Sequence, residues 1–352
     1  MNNAWNTFLL EHGAHIDDGV LRDFGDPQTE RRAARDGDVL ADLSALSLIR
    51  ASGADARTFL NGQLTNELGL VNATQHQLSA WCSAQGRALA LFRVFQRDGD
   101  LYLQLPSSLR EAILKRLRMF VLRAKVTFEI VDDELIRFGI VGPNAERLAQ
   151  KAIKDFSLEI GASVTRGTAT LLRLPGIHPR FEIIAPPTEA ISLWETLRAD
   201  ATPVASGAWY WHDIMTGIPN VFTETSDAFV PQMLNLELVG GVNFKKGCYP
   251  GQEIVARMQY LGRLKQRMYR AHVVGDVVAP GTPIFASGAN GQSVGNVVDA
   301  QPSPNAGVDL LAVIQIASTE TALRLRDENG PTLSLQPLPY SVETPTTQKT
   351  SA

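Results

Sequence analysis

The chain has 352 residues, with 33 basic and 37 acidic side chains, a net charge of −4 and a pI near 5.9. It is longer than the roughly 250–300 residues at which one hydrophobic core stops growing, so two or three subdomains are expected. With 44% hydrophobic and 20% charged residues it is neither disordered nor fibrous, and its acidic balance argues against wholesale nucleic-acid binding, leaving only a local basic patch open.

Cys82 and Cys248 are the two cysteines, so no disulfide framework is implied and a reducing compartment fits. The stretch 1–15 carries no Lys or Arg and no apolar run long enough for a signal peptide. No segment approaches the roughly 18 apolar residues of a membrane span. The expectation is a cytoplasmic protein with no membrane partner.

In chain order, 1–38 mixes a short amphipathic piece (Trp5, Phe8, Leu9) with a charged segment ending in Glu30-Arg31-Arg32, which predicts an N-terminal helix and a linker. Ordered structure is expected from Val39. Leu46–Ser52 reads as a strand, Gly53 as a turn, and Asp55 as the N-cap of a helix carrying Phe59 and Leu60. Strands follow at 78–82, 88–95 and 101–105, the last two joined across Asp98-Gly99, a favoured hairpin pair.

Ser108 and Glu111 form a capping-box pattern ahead of Leu109, Ile113, Leu117 and Phe120, one apolar helix face. Val126, Phe128 and Ile130 alternate with polar residues as a half-buried strand does. Strands at 135–141, 169–174 and 181–185 interleave with helices at 145–154, 189–198 and 208–216. Strand and helix mix without a βαβ repeat, which predicts an α+β fold. From 266 to 339, short β-rich runs broken by Gly and Pro predict a sandwich or small barrel, and the polar stretch 341–352 a disordered tail. No His cluster has ligand spacing, so no metal centre is expected.

The segment richest in chemistry is Lys245-Lys246-Gly247-Cys248-Tyr249-Pro250-Gly251-Gln252-Glu253-Ile254-Val255-Ala256-Arg257. Two glycines bracket a cysteine, and Pro250-Gly251 precede a helix-forming run from Gln252 to Met258. Cys248 then sits just ahead of a helix N-terminus with Lys245 and Lys246 beside it, features that favour a thiolate. Cys82, between Trp81 and Ser83 on a strand, reads as a small buried hydrophobe.

Lys246-Gly247-Cys248-Tyr249-Pro250-Gly251-Gln252-Glu253 closely resembles the signature of the YgfZ family, K-G-C-Y-x-G-Q-E. That family comprises folate-binding factors for iron–sulfur cluster assembly, structural relatives of the glycine cleavage T-protein. The likeness extends to Ser52-Gly53-Ala54-Asp55-Ala56, Phe59 to Asn66, Ala84-Gln85-Gly86-Arg87, Phe229-Val230-Pro231-Gln232, Val294 to Val298 and Leu338-Pro339-Tyr340, covering roughly 39–340.

The resemblance implies a T-protein-like ring of three subdomains: two interleaved in the folate-binding region 39–241, the signature segment 242–263, and a C-terminal β-barrel over 264–340. It implies Cys248 and Lys246 as reactive residues. Trp209, Leu46, Gly247, Tyr249, Gln252, Glu253 and Arg257 would contact tetrahydrofolate or a derivative, polyglutamylated forms included, with Trp209 stacking on it. Leu46 stands where some members carry a second aromatic, and Met215 where the T-protein has its pterin-holding Glu. Iron–sulfur client enzymes, including those that modify tRNA, are the implied partners.

The T-protein's catalytic Asp falls on Ala90 and Leu91, and no Asp or Glu occurs between Glu67 and Asp98. Aminomethyl transfer needs a carboxylate at the folate nitrogen, so the expectation is an accessory factor. A folate-dependent one-carbon transferase, aminomethyltransferase or demethylase, is the alternative.

Two basic concentrations remain: Lys245, Lys246, Arg257, Arg263, Lys265, Arg267 and Arg270 in one, and Arg110, Lys115, Arg116, Arg118, Arg123 and Lys125 in the other. Each reads as a solvated face, as a seat for a polyglutamate tail (favoured for the first, beside the thiol), or as a seat for an acidic or RNA-containing partner.

Overall fold

The computed structural model describes residues 2–260, 262, 264–275, 277–288 and 291–342. Trp5, Phe8 and Leu9 form the buried face of α1 (Asn3–Glu11), whose first turn is capped by the Asn2 side chain accepting from the Trp5 N–H. A hairpin (His15–Asp17 with Val20–Asp23) leads to α2 (Pro27–Asp36), capped by Asp26.

The expected linker is therefore folded structure. Its charge hid it, because α2 buries only Glu30 and Ala34. Trp5 is fully buried against Phe138 and Trp194, and its indole Nε1 donates to Asp42 Oδ1 at 2.8 Å.

The chain then alternates between two sheets. Val39–Asp42 joins one and Leu46–Ser52 the other, so consecutive strands serve different sheets. The five-stranded sheet runs Gln77–Cys82, Ala88–Arg97, Asp100–Pro106, Leu46–Ser52, Thr127–Ile130, all antiparallel. Asp98 and Gly99 both take positive φ in its central hairpin, the twist-matched turn their identities call for.

Beside this sheet lie α3 (Ala56–Asn61) and α4 (Arg110–Phe120). The expected capping box does not form: Ser108 lies in a 3₁₀ turn, no side chain caps α4, and Phe120 is 45% exposed while Ile113, Leu114 and Leu117 are buried.

The six-stranded sheet runs Ser163–Arg166, Ala169–Leu174, Arg180–Ala185, Ile136–Val141, Val39–Asp42, Thr202–Val204, backed by α5 (Ala145–Ala152) and α6 (Pro187–Leu197). Its first and last strands, of four and three residues, carry too little periodicity to be read from sequence. Helix α7 (Ser206–Thr216) crosses the middle of the molecule, α8 (Gln252–Tyr260) follows the signature, and a six-stranded barrel closes where Gln266–Val273 pairs with Thr332–Gln336. The expected disordered tail lies, beyond its first two residues, outside the described residues.

Trp5→Ala removes a fully buried indole and should lower the unfolding free energy by about 3–5 kcal/mol in urea titration. Trp5→Phe keeps most of the packing but takes a donor from buried Asp42, so a smaller loss of about 1–3 kcal/mol is expected.

Candidate functional site

Two connected hollows open where the sheets, α7 and the C-terminal segment meet. The outer cavity, about 410 Å³, has largely apolar walls including Leu78, Ile160, Pro175, Ile218, Val239 and Tyr340. An inner cleft of about 30 Å³ shares Leu78, Arg93 and Ile218 with it and continues to Leu46, Leu91, Gln104, Trp209 and Asp213. Such a cleft holds about one or two waters, whereas the outer cavity is of small-ligand size.

Trp209 and Leu46 thus border one space, and Trp211 on the same helix turns away to donate to Asp309 Oδ2 of the barrel at 2.8 Å. Stacking of a ligand on Trp209 is not what the geometry offers. The Arg180 guanidinium lies 3.6 Å from its ring centroid, and the ring packs so tightly on Gly139 that a Cβ there would sit 2.1 Å from it. Trp209 is a floor for Arg180.

The polar groups of this region come from strands that sequence reading treated as apolar. Arg93, in the run Ala88–Arg97, faces both hollows; its Nη1 lies 3.4 Å from His76 Nδ1, and among the described residues it forms no ion pair. Burial pushes His76 down to about 3, so the imidazole is neutral beside it.

Glu182 is fully buried, accepts from the Gln104 amide through Oε1, and leaves Oε2 without a hydrogen-bond partner. Burial raises its pKa and Arg93 opposes that rise. Asp213 is the one carboxylate lining either hollow, and Arg180 holds it at 2.6 Å. A charged residue inside an apolar strand was the signal for Arg93 and Glu182.

The signature forms a separate feature. Gly251 and Gly86 both take positive φ, and a Cβ on Gly251 would lie 2.4 Å from the Ser83 carbonyl oxygen and 2.6 Å from Gly86 Cα. Two glycines in distant segments thus let the loop dock backbone to backbone on the hairpin before Ala88. Helix α8 starts at Gln252, four residues past Cys248, and the cysteine is exposed while Cys82 is buried, its thiol pushed up to about 12 by burial.

Lys246 is tied into the fold as an anchor. Its Nζ donates to the carbonyls of Asn61 and Leu64 at 2.5 and 2.6 Å and lies 4.9 Å from the Tyr249 ring centroid. Burial lowers its pKa, against the pull of Glu67 and Cys248.

Gly247, Tyr249, Gln252, Glu253 and Arg257 line neither hollow, so the structure does not bring them to Leu46 and Trp209; Met215 is also outside the lining and accepts from Arg270 Nη1 at 3.1 Å. The basic cluster around the thiol disperses as well. Arg267 is buried against Gln232, Asn235 and Glu237, while Arg263 lies outside the described residues.

These features define a class before they define a family. The model of the GCVT N-terminal domain family matches residues 23–243. The structure of the glycine cleavage system aminomethyltransferase T from Bartonella henselae aligns with a TM-score of 0.78 over 97% of this chain and 98% of that one, at 17% identity. The fold is that of the T-protein, with the α+β body and closed barrel in place.

The tRNA-modifying protein YgfZ of Cronobacter sakazakii is 32% identical over 324 residues, 90% of this chain and 97% of that protein. Its counterpart in Enterobacter sp. (strain 638) is 31% identical over 307 residues, covering 86% and 94%. The chain belongs to the YgfZ family. No helix among the described residues is long and apolar enough to cross a membrane.

One buried joint next to the cleft titrates. Asn220 Nδ2 lies 3.3 Å from Asp213 Oδ2 and 3.2 Å from Asp299 Oδ2, tying α7 to the barrel. Burial pushes the Asp299 carboxyl up to about 7, with Asp213 adding to the rise and bonds from Asn220 and Gln301 opposing it. The unfolded carboxyl titrates near 3.9, so between about pH 4 and 7 the folded chain holds the extra proton. Stability should therefore fall as pH rises through that window. Urea unfolding at several pH values checks this: Asp299→Asn should flatten the slope and be the more stable protein at pH 8.

Proposed function

We propose that this chain is a folate-binding accessory factor for iron–sulfur proteins, including those that modify tRNA, working in the cytoplasm with Cys248 as its reactive group. The observation that carries the reading is an exposed thiol on a rigidly held loop. The Gly86–Gly251 contact and the Lys246 anchor fix the backbone on either side of Cys248 and leave the cysteine exposed. That the YgfZ relatives are named tRNA-modifying proteins supports the choice of client.

The outer cavity supports tetrahydrofolate as the ligand. Its volume of about 410 Å³ and apolar walls suit a pterin with its benzoyl ring. Arg93 offers guanidinium donors not paired with any carboxylate, which match the carbonyl and ring-nitrogen acceptors of a pterin. When bound, tetrahydrofolate supplies one-carbon chemistry at its nitrogens. The chain's own residues hold and orient: Arg93 gives the fork, neutral His76 keeps it in place, and Tyr340 closes the rim by donating to the Gly217 carbonyl at 2.6 Å. The only lining carboxylate, Asp213, is held by Arg180, so no free base faces the ligand, which weighs against a one-carbon transferase.

Calorimetric titration with tetrahydrofolate tests the ligand. The parent and Cys248→Ala should bind alike, and Arg93→Met should bind roughly ten- to a hundredfold more weakly, with Arg93→Lys between them as a charge-retaining control. Absence of binding by the parent removes folate from the reading. In a strain with weakened iron–sulfur enzyme activity, Cys248→Ala should fail to complement; full rescue would remove the thiol role.

A further inference from the structure

The second basic concentration acquires a location in the fold that changes its meaning. Arg110 is spent on Asp132 at 3.0 Å, but Lys115, Arg116, Arg118, Arg123 and Lys125 are exposed at the C-terminal half of α4 and the turn after it. In the same stretch three large apolar side chains face outward: Met119 at 70%, Phe120 at 45% and Leu122 at 88% exposure. Single exposed apolar residues need no explanation, but three within four positions, ringed by cations, do. The face of α4 that packs inward is Ile113, Leu114 and Leu117, which leaves Met119 and Leu122 turned outward and only one edge of Phe120 covered.

This tip adjoins the cysteine loop. The Phe120 ring meets the Trp81 indole edge-on at 5.8 Å, and the Arg116 guanidinium caps the same indole at 5.8 Å. Trp81 in turn donates to Gln63 Oε1 at 3.3 Å and bridges to Leu64. The carbonyls of Asn61 and Leu64 in that turn hold Lys246, two residues before Cys248. The α4 tip and the cysteine loop thus flank one short turn.

We infer that this tip is a docking surface for a partner protein: an acidic segment carrying aliphatic anchors, seated on Met119, Phe120 and Leu122 and rimmed by Arg116 and Arg123. The inference rests on the accessory-factor reading, for which it supplies the place where a client would be held beside the thiol. Charge complementarity sets the partner's sign, as cations outnumber the neighbouring acids Glu111, Asp55 and Glu129, and Asp55 already accepts from the Lys125 N–H. The apolar centre sets its class. Aliphatic anchors inside a charged rim are the anatomy of a protein interface. RNA would ask for several aromatic faces to stack on, whereas Trp81 is buried beneath Arg116 and the tip exposes a single ring, Phe120, set edge-on to Trp81. A membrane would ask for a whole apolar helix face rather than three side chains at one end.

Fluorescence anisotropy decides the matter with four probes: a labelled nonapeptide of Glu and Asp containing two leucines, a labelled glutamate nonamer, total bacterial tRNA, and vesicles rich in phosphatidylglycerol. The leucine-bearing peptide should bind the parent protein at least tenfold more tightly than the glutamate nonamer. Leu122→Asp and Arg116→Glu, both at exposed positions, should each weaken it tenfold or more. No binding of the leucine peptide, equal binding of the nonamer, or loss of tRNA or vesicle binding in Leu122→Asp would each overturn the inference. Tetrahydrofolate titration and complementation by Cys248→Ala report on the accessory-factor reading separately, so the two can fail independently.

Discussion

The three subdomains meet on helix α7, and what holds that helix is the Arg180–Asp213 pair. Arg180 is fully buried, its Nη1 donates to Asp213 at 2.6 Å, its Nη2 to the Trp209 carbonyl at 3.0 Å, and its plane covers the Trp209 ring. A buried pair of this kind costs desolvation roughly equal to its attraction, so its value lies in fixing geometry. Arg180 belongs to the six-stranded sheet and Asp213 to α7; Asp213 reaches Asn220, which reaches Asp299 in the barrel. Nearly every residue of the helix is buried, because it faces a different subdomain on each side: Trp209 toward Gly139, Tyr210 toward the Ala45 carbonyl, Trp211 toward Asp309.

That joint also sets what the cleft presents. Its wall carries Leu91, with Ala90 fully buried beside it. The carboxylates that remain nearby are structural. Asp213 is paired and Asp299 is hydrogen-bonded between α7 and the barrel, while Glu182 is buried on Gln104. What faces the open cavity is a guanidinium, Arg93. A guanidinium donates hydrogen bonds and accepts none, so what it offers a ligand is a fork of donors.

Much of this was legible before the fold. Apolar runs marked most strands, alternation marked the one at Thr127–Ile130, Asp98-Gly99 marked its hairpin, and the near-200° separation of Trp209 and Trp211 put them on opposite sides of α7. The unread parts share a cause, which is tertiary use of residues whose local context points elsewhere. Lys246 stands next to the thiol in sequence, yet its ammonium serves carbonyls 185 and 182 positions away. Helix α2 looks like a charged linker because its value to the fold lies in Glu30, which accepts from the backbone N–H groups of Phe24 and Ala205. Trp209 lines the small cleft, but only the fold reveals that Arg180 already covers its ring.

Cavity and thiol are separate sites, yet one stretch of chain and one strand connect them. Val239 and Gly240 form part of the cavity wall, and the same segment continues to Cys248. Between the two it is pinned to one turn: Asn66 Nδ2 donates to the Gly240 carbonyl at 2.7 Å, Thr65 Oγ1 to that of Gly241 at 2.7 Å, and Asn243 N–H to that of Thr65 at 3.0 Å. The strand Gln77–Cys82 runs the same way, with Gln77 and Leu78 at the cavity and Trp81 bridging to Leu64 under the cysteine loop. The Thr65–Gly241 bond is buried, so the Gly241 carbonyl would have to find another partner away from water, which is costly. The wall that would grip a ligand and the loop that presents the thiol are thus parts of one hydrogen-bonded body. Its rigidity, rather than a mobile lid, sets where Cys248 stands relative to the cavity.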